Sequence, residues 1–371
     1  VLLDGESIAA VVPADQRPQN YPLQAGVADT LAPGFIDLQV NGGGGSMFNN
    51  HPDRHTVDVI TAAHRSLGTT ALLPTLLSDT GEVQQQAADA VRRARSAGNR
   101  GVLGLHIEGP FFAPARRGAH MAEMIRSPEA ADIEWLCGLD DLILLVTLAP
   151  EQAATGQIRR LSEAGVRVCA GHTNAGYEDM RAAQDEGLCG VTHLFNAMSP
   201  LTARQPNAVG AALDIDELWV GVIADGHHVH PASLRIACRA KPAGKVFLVS
   251  DAMATVAADT DSFEIYGEEI TAREGRLVNA DGVLAGSAIG LIDAVRVCTE
   301  QVGLPLAESL RMASLYPAQF IGMERKLGRI AEGYRAVVVQ FDTQFRVRDP
   351  GVAGVHAGGR GIASGVIGAA V

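Results

Sequence analysis

The chain has 371 residues, 47% of them hydrophobic and 19% charged, which excludes a disordered chain and leaves room for one large domain plus a smaller one. Its 30 Lys and Arg against 42 Asp and Glu give a net charge of −12, which argues against a nucleic-acid or anionic-membrane partner. No apolar run reaches membrane-span length, no signal-peptide pattern opens the chain, and five scattered cysteines fit a reducing cytoplasm.

In chain order, residues 1–12 have strand-type content and lead into a loop rich in Pro, Gln and Asn. Eight apolar runs follow, at 32–40, 71–76, 102–107, 143–148, 166–170, 191–194, 218–224 and 246–249. Helix-period segments lie between most of them, such as 57–67, 82–96, 154–164 and 177–186. The stretch 263–281 reads as an inserted hairpin, 289–302 and 306–320 as helices, and 335–341 as a further strand. The apolar, glycine-rich tail 361–371 reads as a strand or loose terminus. The alternation predicts a (β/α)8 TIM-like barrel over 32–330. Residues 1–31 and 331–371 are expected to form a small β-sandwich domain. An open doubly wound sheet competes, but a barrel better explains why successive strands end in polar residues at one edge.

Four such ends carry the chemistry: VLGLHIEGP delivers Glu108, RVCAGHTN His172, GVTHLFNAM His193 and KVFLVSDAM Asp251. A lone strand-end histidine is more often a structural residue, and a lone Glu or Asp a cap. Together, Glu108, His172 and His193 make a three-ligand set with an open position, as expected of a catalytic zinc site. Asp251 is placed to accept a proton from an activated water and return it to a leaving group. Two residues apart on an extended chain, His106 and Glu108 are expected to point the same way.

Weaker features accompany these. Three histidines in DGHHVH end the seventh strand, of which one is expected to touch substrate. His120 in RRGAH could act on a carbonyl oxygen, and Arg204 could bind a phosphate, although either could be an ordinary surface residue. Gly42–Gly45 resembles a phosphate loop only superficially, lacking the Lys-Ser/Thr that such a loop needs. No lysine precedes Lys241, so no carboxylated lysine can bridge two metals on an earlier strand. At the first strand's end, Gln39 and Asn41 are poor zinc ligands. One divalent ion per chain, Zn2+ in the first instance, is expected.

The ordered set PGFIDLQVNGGGG, LHIEGPFF, RRGAH, AGHTNA, THLFNAM, IADGHHV, LVSDAM, LAGS and SLYPAQFIG resembles the amidohydrolase superfamily and, within it, the N-acetylglucosamine-6-phosphate deacetylase family. The resemblance implies Glu108, His172 and His193 as metal ligands and Asp251 as general base and acid. It implies His120 as the residue polarising the acetyl carbonyl. Asn196, Ala197 and His228 become sugar-binding positions. Arg204 becomes a phosphate-binding residue reaching the neighbouring site of a homodimer. Gln39 and Asn41 place the chain with single-metal relatives. The expected function is hydrolysis of N-acetyl-D-glucosamine 6-phosphate to the amine and acetate. The rivals are the galacto epimer as substrate, a dihydroorotase-like cyclic amidase, and an inactive binding barrel.

Overall fold

The computed structural model describes every residue except 17, 20–22, 25–28, 350–363 and 368–371. At its centre stand eight parallel strands: Phe35–Val40, Thr69–Leu77, Gly104–Glu108, Ile143–Leu148, Arg167–Ala170, Gly190–Val191, Trp219–Ile223 and Val246–Val249. They are ordered in space as in sequence. Past the strand ends the ring closes on itself. The Asp251 N–H donates to the Gln39 carbonyl at 3.0 Å, and the Asn41 N–H to that of Ala252 at 2.9 Å. The barrel expected from the alternation is the fold observed.

The strands were legible because parallel strands covered on both faces are apolar along their length. All nine residues of Thr69–Leu77 are buried, for example. Flanking helices pack their apolar sides on the ring and start at recognisable caps. The Asp53 carboxylate accepts the Thr56 N–H at 2.8 Å ahead of Arg54–Ser66, and Thr80 accepts the Val83 N–H ahead of Gly81–Ser96.

Four details differ from the expectations. The sixth strand stops at Val191, because His193 takes a left-handed backbone (φ 34) that no strand can continue through. The inserted segment is a three-stranded meander, Ser262–Ile265, Glu268–Arg273 and Arg276–Val278, rather than a hairpin. Leu291–Val297 runs into a π-helical turn at Cys298–Val302. The last helix is broken at Ser314 into Leu306–Ala313 and Leu315–Phe320. Pro317 falls in the first turn of the new helix, where its missing N–H costs nothing.

The chain ends form small sheets. Leu2–Asp4 pairs with Ser7–Ala10 and with Ser364–Ile367, which in turn pairs with Leu23–Gln24. Thr30–Pro33, which spans the expected boundary at 31/32, pairs with Val338–Phe341. A separate apolar cluster of Val1, Leu3, Ile8, Ala336 and Val338 lies beneath them. These extra sheets fit a small β-domain. Of the 361–371 tail, Ser364–Ile367 is a strand and the rest lies outside the described residues.

Candidate active site

Glu108 is the last residue of the third strand, while His172, His193 and Asp251 each stand two residues beyond their own strands. All three of these have left-handed backbones, with φ of 49, 34 and 53. Non-glycine residues adopt this conformation at a cost, and it concentrates at functional sites. Here one sharp kink, used three times, accompanies three side chains that meet over the barrel mouth.

They converge closely. The His193 Nε2 lies 3.0 Å from Glu108 Oε1, the His172 Nε2 3.3 Å from the same oxygen, and the two Nε2 atoms 3.0 Å from each other. The His172 Nδ1–H donates to the Arg116 carbonyl at 2.9 Å, so Nε2 carries the lone pair a metal needs. Burial opposes the charge of Glu108, yet its close contacts with His172 and His193 hold the carboxyl well below the usual range. Burial pushes His172 down. Burial opposes charge on His193 too, but the Glu108 carboxylate raises it above its usual value, so ligation there would displace a proton; a carboxylate with two imidazoles suits a divalent ion. His106, in contrast, lies inside the barrel, its Nδ1 3.0 Å from the Leu38 carbonyl and its Nε2 2.8 Å from Thr147 Oγ1. It is structural.

Asp251 is gripped from the first strand. Its Oδ1 accepts from Asn41 Nδ2 at 2.7 Å and from Gln39 Nε2 at 3.1 Å. The same Gln39 nitrogen also donates to both oxygens of Glu108, at 3.1 and 3.0 Å. Burial, then the Glu108 charge, pushes the Asp251 carboxyl up to about 6. The side-chain amide oxygens of Gln39 and Asn41 are buried with no partner among the described residues. Each such orphan costs about 1–3 kcal/mol.

His120 approaches from the loop after the third strand. The Ser78 backbone N–H donates to its Nδ1 at 3.2 Å, and Ser78 Oγ lies 2.8 Å from the same nitrogen. An accepting Nδ1 leaves the proton on Nε2. Burial and the neighbouring His172 push this imidazole down to about 3, so it is neutral at pH 7. The Tyr266 hydroxyl, from the meander, donates to the Ser78 carbonyl at 2.8 Å and steadies this arrangement. Neither Ser78 nor Tyr266 carried any signal in the sequence.

A cavity of about 360 Å³ opens above these groups and brings together Asn41, Glu108, His120, His172, His193, Asn196, Ala197, His228 and Asp251. The His228 Nδ1–H donates to Asp225 at 2.7 Å, while His230 caps the next helix by accepting the Ala232 N–H. His228 alone of the DGHHVH histidines therefore reaches the cavity. Arg204 does not line it; its residue is exposed, in the loop after the sixth strand. Arg116 and Ala119 of RRGAH and Leu284 and Gly286 of LAGS also line it, although no role was expected of them individually.

Three of the four N–H groups of the Gly42–Gly45 run are spent on the chain rather than left to cradle a phosphate. Those of Gly42, Gly44 and Gly45 donate to Ala252, Val256 and Ala254. A Cβ at Gly42 would stand 2.6 Å from the Ser46 carbonyl and 2.7 Å from the Ala254 nitrogen, so only glycine lets this loop seat against the Asp251 segment.

The sequence pattern of the Amidohydrolase family matches residues 30–362. The chain belongs to the amidohydrolase family. Amidohydrolases are metal-dependent hydrolases, and in this one the buried Glu108, His172 and His193 form the group of side chains that could hold the ion. This amidohydrolase is 42% identical over 337 residues to an N-acetylgalactosamine-6-phosphate deacetylase of a Shewanella species, covering 90% of this chain and 84% of that protein. It is 35% identical over 352 residues to an N-acetylglucosamine-6-phosphate deacetylase of Haemophilus influenzae, covering 94% and 91%. The crystal structure of the N-acetylglucosamine-6-phosphate deacetylase of Pasteurella multocida superposes with a TM-score of 0.90 at 37% identity, covering 93% of this chain and 91% of that one.

Proposed function

We propose that this amidohydrolase hydrolyses N-acetyl-D-glucosamine 6-phosphate to D-glucosamine 6-phosphate and acetate. The observation that carries the reading is one cavity combining a Glu–His–His ion site, a raised carboxyl at Asp251 and a neutral His120. The likeness to deacetylases of both hexosamine phosphates supports it.

One divalent ion, Zn2+ in the first instance, would be held by Glu108, His172 and His193, and supplies polarisation of the amide carbonyl and a lowered pKa for the attacking water. Asp251 takes the proton of that water and returns it to the amine nitrogen as the C–N bond breaks. The His120 Nε2–H donates to the carbonyl oxygen as negative charge develops there. Asn196, Ala197 and His228 hold the sugar. Because Arg204 is exposed and stands off its own chain's cavity, we assign it to the substrate phosphate in the neighbouring site of a homodimer. Five free cysteines support a reducing, cytoplasmic setting. No helix among the described residues is long and apolar enough to cross a membrane. We also propose the division into 32–330 and a β-domain of 1–31 with 331–371.

The runner-up substrate is the galacto epimer, favoured by the 42% identity to the Shewanella relative. Acetate release measured on both epimers, with and without chelator, separates them. The expected result is chelator-sensitive release, faster on the gluco epimer. Faster release on the galacto epimer would hand the reading to the runner-up, and none from either would overturn both. Arg204→Ala should raise KM for phosphorylated substrate roughly 10- to 100-fold, the scale of a lost charged hydrogen bond, with kcat nearly unchanged. An intact preference for the phosphorylated over the plain N-acetyl sugar would refute the Arg204 assignment.

A further inference from the structure

The sequence presents Gln39 and Asn41 only as side chains ill-suited to bind zinc. Their contacts give them a positive task. A carboxamide nitrogen carries two hydrogens, and both of Gln39's are committed: one to Glu108, shared across its two oxygens, and one to Asp251 Oδ1. Asn41 adds a second, shorter donor to the same Asp251 oxygen, at 2.7 Å. Asp251 Oδ2 accepts no hydrogen bond from any described residue, and Asp251 lines the cavity. The backbone reinforces the grip, since the Gln39 carbonyl accepts the Asp251 N–H at 3.0 Å. We propose that Gln39 and Asn41 are positioning residues that pin Asp251 by Oδ1, leave Oδ2 as the oxygen that exchanges the proton, and fix it relative to Glu108.

A purely structural role fits poorly. Both amides leave a buried carbonyl oxygen without a partner, a cost that apolar side chains of similar shape would avoid. Side chains that ionise are also poorly suited to the work. A carboxylate at position 39 would repel Glu108 and Asp251, whereas an amide donates to both and cannot lose its proton. Strand one thus acts as a neutral template across which a metal ligand and the acid–base group keep a set separation.

The inference rests on the deacetylase reading, and the test separates the two. Gln39→Met and Asn41→Leu are compared with wild type, which must first release acetate from N-acetylglucosamine 6-phosphate; if it does not, the functional reading fails rather than this one. In each variant, kcat should fall on the order of 10²-fold from a misaimed carboxylate, while KM stays within about 3-fold. Each substitution removes an unpartnered amide oxygen but also a donor to a buried carboxylate, so the thermal midpoint should shift little, and metal content by elemental analysis should stay near that of wild type in Asn41→Leu, which leaves Glu108 untouched. An unchanged kcat in Asn41→Leu, or a loss of activity that tracks a fall in thermal midpoint, overturns the proposal. If Gln39→Met loses its metal, Asn41→Leu alone decides.

Discussion

Asp251→Asn is expected to lower kcat by at least ~10²-fold while substrate still binds, because it removes the group proposed to carry the proton from water to amine. Asn keeps the shape and still accepts from Gln39 and Asn41 through its oxygen, so the donors at 3.1 and 2.7 Å are not orphaned. The pH profile follows from the same residue. The working form is the carboxylate, so activity declines as pH falls through the Asp251 pKa. Burial and Glu108 raise that value to about 6 without a cation, and a bound ion would bring it back down. Stability moves in the opposite sense. A carboxyl raised from 3.8 to about 6 favours the folded state fully below pH 3.8 and loses that contribution as pH rises through 6. At neutral pH the charged form therefore costs the metal-free protein up to about 3 kcal/mol, which the Asn variant escapes. The expected signature is an inactive variant that melts higher than wild type after chelation. Full activity, measured as acetate release, would remove Asp251 from the mechanism.

His193→Ala is expected to strip the ion and abolish turnover. Even partners that only orient a ligand are worth 10–100-fold in metal affinity, so losing a ligand should cost more than about 10²-fold. His193 is a cleaner target than His172, whose ring stacks on Phe112 at 4.2 Å and whose Nδ1–H bonds the Arg116 carbonyl at 2.9 Å. Metal analysis after dialysis should find well under one ion per chain, against about one in wild type. Removing His193 also leaves Glu108 without its 3.0 Å partner, so the buried carboxylate loses a group that holds it ionised. A variant that keeps stoichiometric metal would show that His193 is not a ligand.

The barrel was legible because its strands are buried on both faces and each is a local apolar run. Glu108, His172, His193 and Asp251 were legible because each follows such a run directly. The three-stranded meander was less so, since its short strands, half exposed, alternate without a strong apolar signal. Ser78 and Tyr266 could not be found at all. Their importance lies in a bond made 42 residues away to His120 and another spanning 188 residues to Ser78. Arg204 differs again: the resemblance marked it, but its absence from the lining of its own chain's cavity could not be read in the sequence.

The sequence alone determined the fold class, the order of the strands, and which side chains stand at the barrel mouth, for hydrophobic periodicity and residue chemistry are local properties of the chain. Only the tertiary structure decided how those side chains act. The left-handed turns at His172, His193 and Asp251 bring them together, and ring closure sets Gln39 between Glu108, 69 residues away, and Asp251, 212 residues away. Hydrogen bonds depend on tenths of an ångström between atoms from distant strands, and no pattern along one chain encodes that separation until the barrel closes.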